Sequence, residues 1–225
     1  MLNYTLDGKK YIPVVQEEEI ISNNPTTTSE DWNNTLFSNY KTNLKFHIIL
    51  HQNDRCAYCR KLLEADGKYE PLEHIVAKTI RPEWQLLPMN LIVTCDSCNN
   101  LKGSQQVLQE DYVDVEDYPL ISNAYIIFHP YFDNWSDHLD YENDIFIVPI
   151  KNSKGLKTIQ ICKLYRYNII INRAKELKLG QKSPMGKIIH RLRGMDISDP
   201  QYEILKLQLL DAMEHFNNRT QDLYK

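Results

Sequence analysis

The chain has 225 residues, 42% of them hydrophobic and 25% charged, with a net charge of −4. That length and balance suffice for a core without disulfide staples and exclude wholesale disorder. A modest negative charge also excludes a protein that coats nucleic acid by charge alone. No apolar run reaches membrane-spanning length, and the start lacks the apolar core of a signal peptide. The expected location is therefore the cytoplasm, where the five cysteines would be reduced and no membrane partner is involved.

Residues 1–28 mix short Tyr/Ile/Val stretches with an acidic run and NNPTTTS, which reads as an irregular arm with at most one strand. From Ser29, a capping residue followed by Glu30 and Asp31, the residues Trp32, Leu36, Tyr40 and Leu44 recur every four positions and predict an amphipathic helix. This arm and helix form a first segment, 1–52.

The second segment, 53–108, carries the chemistry. Two pairs, Cys56 with Cys59 and Cys95 with Cys98, have the spacing of a tetrahedral Zn²⁺ site. A single such pair also fits a redox motif, but that motif needs no second pair and sits in a βαβ setting absent here. A closed four-thiolate site has no open position, so this zinc would be structural. Between and after the pairs stand Glu73-His74, Asn90-Leu91 and Asn99, with Lys102-Gly103 closing the segment. A His following a Glu is by itself usually an ordinary surface or core residue.

The third segment, 109–225, is polarised. Residues 105–150 hold ten acids and no Lys or Arg, whereas 151–195 hold twelve Lys and Arg against the single acid Glu176. The basic block suits either phosphate contacts or pairing with the acidic block. YIIFHP and IFIVPI read as strands ending at prolines, HPYFDNW as a turn and TIQIC as a strand. Residues 164–178 read as a helix closed by Gly180, with a second helix opened by Ser183 and Pro184. A last helix from Ser198 carries Tyr202, Leu205, Leu209, Met213 and Phe216 as a core-facing stripe. His129 and His138 flank the aromatic turn, where packing against rings is the expected role rather than metal binding.

The order CxYC, Glu-His, Asn-Leu, CxxC-Asn-x-x-Lys-Gly resembles the HNH endonuclease family. The resemblance implies an α+β chain with a ββα-metal core, flanked by an N-terminal helix and a mainly helical C-terminal half. It implies that His74 is the general base, that Glu73 (more often Asp in the family) and Asn99 bind a catalytic Mg²⁺ or Mn²⁺, and that Asn90 braces the loop behind the His-bearing strand. Lys102 would touch a phosphate or stand solvated on its helix. The implied reaction is attack of water on a phosphodiester, with DNA as default substrate and RNA, including transfer RNA, as the alternative. A zinc module that binds nucleic acid or protein without cutting is the non-enzymatic alternative. The Trp-bearing helix, HPYFDNW-x-x-HL and the KGLKTIQICKLYRYNIIINR stretch further resemble the nuclease subunits of Septu and retron-associated anti-phage systems, which implies an ABC-type ATPase partner.

Overall fold

The computed structural model describes residues 4–63, 70–151, 153–177, 188–189, 191–192 and 194–222, the last eleven as main chain only. Six α-helices concern the argument: α1 (Val15–Asn23), α2 (Ser38–His51), α3 (Asp96–Lys102), α4 (Gly155–Cys162), α5 (Tyr167–Glu176) and α6 (Pro200–Asp222). Two antiparallel ribbons accompany them, β1 (Leu72–His74) with β2 (Leu91–Val93) and β3 (Leu139–Glu142) with β4 (Phe146–Pro149). This is the mixed α+β architecture expected. None of the described helices is long and apolar enough to cross a membrane.

The arm is more ordered than its composition suggests. Glu17 closes the first turn of α1 by accepting the Val14 amide at 3.1 Å, and its other oxygen accepts from Asn43 of α2 at 2.8 Å. A Glu reaching back to the amide ahead of its helix supports a first turn where propensity alone is marginal, so the expected irregular arm or strand is instead α1 docked on α2.

The expected helix from Ser29 is interrupted. Residues 29–33 and 35–37 form 3₁₀ turns, and the α-helix begins only at Ser38. The Asn34 side chain accepts the Leu36 amide at 3.0 Å, an alternative to helical pairing that Asn readily offers. Leu36 is consequently exposed, while Phe37, Tyr40, Leu44 and Ile48 make the buried stripe. Trp32 is left outside that stripe.

At the far end of α2, Gln52 is fully buried and hydrogen-bonds the main chain of Val93 in both directions, at 2.7 and 3.0 Å. This fixes the helix against β2. The register of β1 on β2 pairs Glu73 with Ile92 and His74 with Leu91, and α3 follows two residues after β2. Gly103, at φ +51°, ends α3 and donates its amide to Asn99 at 2.9 Å; glycine adopts that conformation without a steric penalty.

Two strand expectations in the acidic and basic blocks give way to burial. YIIFHP pairs through a bridge between Tyr125 and Leu108; further along, the amides find side chains instead, Phe128 donating to Thr158 Oγ1 and His129 to Asp133 Oδ2, both at 2.8 Å. TIQIC is helical, as α4, despite its β-branched residues, because Thr158, Ile159, Ile161 and Cys162 face the core; tertiary burial overrides so weak a propensity. Gly155 starts α4 so close to the β3–β4 ribbon that a Cβ there would sit 1.9 Å from the His138 carbonyl oxygen. IFIVPI does form β4, ending at Pro149 as expected.

One hydrophobic cluster runs from Tyr4 to Ile169 and draws on all three sequence segments. A second joins Ile145 and Phe146 to α5 and to Leu205 and Leu209 of α6, the core role anticipated for that stripe. Gly180, Ser183 and Pro184 lie outside the described residues, as do the side chains of Met213 and Phe216; residues 188–189, 191–192 and 194 are helical. Lys154 of the basic block pairs with Asp133 of the acidic block at 2.7 Å, so part of the charge polarity is settled within the chain. His129 is wholly buried, stacked on Phe132 at 4.3 Å between ring centroids, in keeping with a packing role.

Candidate metal centre and adjoining cavity

The two cysteine pairs arrive on different kinds of support. Cys56 and Cys59 occupy a tight turn after α2, in which the Cys56 amide donates to Lys61 O at 2.9 Å and the Arg60 amide to Cys56 O at 3.0 Å. Arg60 takes a left-handed conformation at φ 57°. Trp135, in the segment after HPYFDN, donates its indole N–H to Tyr58 O at 3.0 Å and pins the turn. Cys95 caps α3 and Cys98 lies in its first turn, its amide donating to Cys95 O at 2.9 Å.

The four sulfurs lie within 4.8 Å of one another, with Cys59 and Cys95 Sγ 3.8 Å apart, and none is in a disulfide. Zn–S bonds of about 2.3 Å in a tetrahedron place sulfurs about 3.8 Å apart, so the cluster fits a structural zinc ion. Burial pushes the Cys56 thiol up, while hydrogen bonds from Cys56, Cys59 and Cys98 hold Cys95 well below the ordinary thiol range. A thiolate is thus favoured at Cys95. Arg166, ahead of α5, donates Nη2 to Cys98 Sγ at 3.1 Å, and the guanidinium of Arg60 is buried beside the turn, over the Tyr4 ring. Two cations therefore offset the −2 charge that four thiolates and Zn²⁺ would bury.

Beside this cluster β1, the loop that follows it and α3 line an open cavity of about 430 Å³, with Glu73, His74 and Asn99 together with Trp32, Lys78 and Asn100 in its wall. The structure thus brings together the three residues proposed from sequence for base and metal ligands. His74 Nε2 lies 3.1 Å from the Gln85 carbonyl oxygen. A carbonyl only accepts, so Nε2 carries the proton and Nδ1 holds the ring's lone pair. Burial drives the imidazole's pKa down to about 3, which keeps it neutral. The Trp32 ring meets it edge-on at 4.4 Å.

Glu73 and Lys102 are both buried, with Glu73 Oε1 2.6 Å from Lys102 Nζ. Burial raises the carboxyl above its usual range against the pull of that ammonium. Lys102 also donates to the His74 carbonyl at 2.8 Å. It is neither solvated nor among the residues lining the cavity, so the phosphate contact and the exposed helix position expected of it are replaced by an internal ion pair.

Asn90, counted from sequence with the catalytic set, does not line the cavity either. Its Oδ1 accepts the Val76 amide at 2.8 Å, and its Nδ2 donates to Val76 O at 3.0 Å and Trp84 O at 3.2 Å. It ties together the loop that leaves His74. Trp32, Gln85, Lys78 and Arg166 were not foreseen at the site. Each reaches it through tertiary folding from outside the motif or through a backbone carbonyl, and periodicity carries no sign of either.

No family model matches the chain. What the fold and site define is an α+β protein with a buried four-cysteine cluster that could hold a metal ion, next to a cavity lined by Glu73, His74 and Asn99. The chain resembles the Septu protein PtuB of Bacillus thuringiensis, with 25% identity over 131 residues, 58% of this chain and 44% of that protein. It therefore spans less than half the length of the curated relative it matches.

Proposed function

We propose that the chain is a metal-dependent HNH-type endonuclease that cleaves phosphodiester bonds, and that it serves in anti-phage defence as the name of its Septu relative suggests. The observation that carries this reading is the convergence of Glu73, His74 and Asn99 on one cavity beside the four cysteines. The strand–strand–helix order of β1, β2 and α3 supports it.

The protein's own groups divide the work. His74 accepts the proton of the attacking water at Nδ1, since Nε2 is held by Gln85 and the neutral ring has no other lone pair. The Gln85 carbonyl stabilises the imidazolium so formed. The Glu73 carboxylate and the Asn99 amide oxygen are hard donors suited to Mg²⁺ or Mn²⁺, with Glu73 Oε1 already facing Lys102. When bound, the ion neutralises charge that builds on phosphate and leaving oxygen. Lys102 holds Glu73 in place and, through the His74 carbonyl, ties α3 to β1. The zinc cluster fixes the end of α2 relative to α3. DNA is the default substrate and RNA the alternative, and an ABC-type ATPase is the partner that control of such a nuclease would involve.

One observation favours a second reading. The Lys102 ammonium already neutralises Glu73, as it would in a zinc module that binds nucleic acid or protein without cutting. Incubating purified protein with plasmid DNA and with RNA, in Mg²⁺, Mn²⁺ or EDTA, with and without a candidate ATPase, separates the two. The nuclease reading expects cleavage that EDTA abolishes; intact substrate throughout would favour the binding module.

A further inference from the structure

A second cavity, a shallow depression open to solvent with a volume of about 510 Å³, adjoins the first and shares Trp32, Pro71 and Leu72 with it as a common wall. Its other side is the exposed N-terminal half of α2, which contributes Ser38, Lys41, Thr42 and Lys45; Glu70 completes it. Among the described residues Lys41, Lys45 and Lys78 line the two cavities against Glu70 and Glu73, and the charge of Glu73 is met from behind the wall by Lys102. Lys41 is fixed in this wall: its Nζ donates to Trp32 O at 2.7 Å and lies 4.9 Å from the centre of the indole ring. One ring thus meets the His74 imidazole edge-on and an ammonium over its π system.

This arrangement follows from the break before α2. Had the helix run on from Ser29, Trp32 would have joined the buried stripe with Tyr40 and Leu44. The 3₁₀ turns instead turn it out to stand between the cavities.

We propose that the second cavity is a backbone subsite for the substrate strand: the polynucleotide passes from His74 over Trp32 onto α2, where Lys41 and Lys45 hold the phosphate flanking the scissile one, with the Ser38 hydroxyl beside them, the Thr42 hydroxyl being donated to Ser38 O. The inference rests on the nuclease reading and adds a requirement to it, a strand that continues beyond the cut on the α2 side. Two ammonium groups and one hydroxyl read phosphate and not base, so the contact is independent of sequence and sensitive to salt. Lys41, already ordered by Trp32, loses less side-chain freedom on binding than a free surface lysine.

The test is binding of fluorescein-labelled single-stranded DNA and RNA oligonucleotides, by anisotropy in EDTA over a salt series, for wild type, Lys41→Gln, Lys45→Gln, the double variant and the two Lys→Arg variants, each checked for wild-type melting temperature. The subsite predicts weaker binding in the Gln variants, a slope of log affinity on log salt lowered by about 0.7 per lysine, and near wild-type slopes with Arg. Lys45→Gln stands as an independent variant should Lys41→Gln, which also frees Trp32, fail to fold. Wild-type affinity and slope in the folded Gln variants would overturn the subsite, as would a wild-type chain that binds no strand. Cleavage in Mg²⁺, followed in parallel, separates this from the underlying reading. A protein that binds through these lysines and never cuts sinks the nuclease, whereas one that cuts with lysine-independent KM sinks only the subsite.

Discussion

Lys102 Nζ and Glu73 Oε1, one on α3 and the other on β1, form a 2.6 Å ion pair in which neither side chain is more than 7% exposed. Removing one member of such a pair strands the other charge and costs about 3–5 kcal/mol, while replacing both with neutral groups costs far less. Lys102→Met is therefore expected to lower the melting temperature strongly, and Glu73→Gln added to it to recover much of the loss. Thermal unfolding of the two single variants and the double variant measures this. Additive losses would mean that the pair is not coupled.

The zinc cluster is expected to bind one ion per chain, read by elemental analysis of purified protein. Chelation should lower stability cooperatively, because a ligand absent from the unfolded chain stabilises only the native one. Arg166→Ala removes the N–H that donates to Cys98 Sγ and is expected to weaken zinc affinity by about 10- to 100-fold, seen as faster release to a colorimetric chelator. Release at the wild-type rate would show that Arg166 does not tune the thiolates.

Asn90→Ala leaves the Val76 amide and the carbonyls of Val76 and Trp84 without their partner. A stranded buried group costs about 1–3 kcal/mol, so the variant should melt earlier. It should also lose activity through a misplaced His74 while still binding zinc. Full activity in Asn90→Ala would rule out a positioning role.

Acid should destabilise the fold through His129. Its environment, mainly burial, lowers its pKa from the ordinary value near 6.5 to about 3. Between those values the unfolded chain takes up a proton that the folded one refuses, so stability is complete above about pH 6.5 and falls progressively toward about pH 3. Denaturant unfolding at a series of pH values should show that slope, and it should be shallower in His129→Phe. An equal slope in both proteins would assign the acid sensitivity elsewhere.

How much of this was legible in sequence depended on the range of the interaction. The cysteine pairs, whose spacing is a local property, come together as anticipated. Glu73, His74 and Asn99 come to one cavity because the ribbon register and a seven-residue helix leave them little choice. What failed to show was decided by single side-chain hydrogen bonds or by distant burial. Asn34 breaks the helix expected from Ser29, Glu17 organises an arm that looks irregular, and core contacts make TIQIC a helix. Lys102 is the sharpest case. Nothing in its neighbours in sequence distinguishes a lysine that meets solvent from one that meets Glu73 across the core.

The central claim is that His74 is the base of a metal-dependent nuclease, and the most direct measurement is single-turnover cleavage by His74→Ala beside wild type in Mg²⁺, with zinc content and melting temperature measured on both. Loss of a general base predicts a rate lower by about 10²- to 10⁴-fold with zinc content retained. Undiminished cleavage by a folded, zinc-loaded His74→Ala protein would contradict the account.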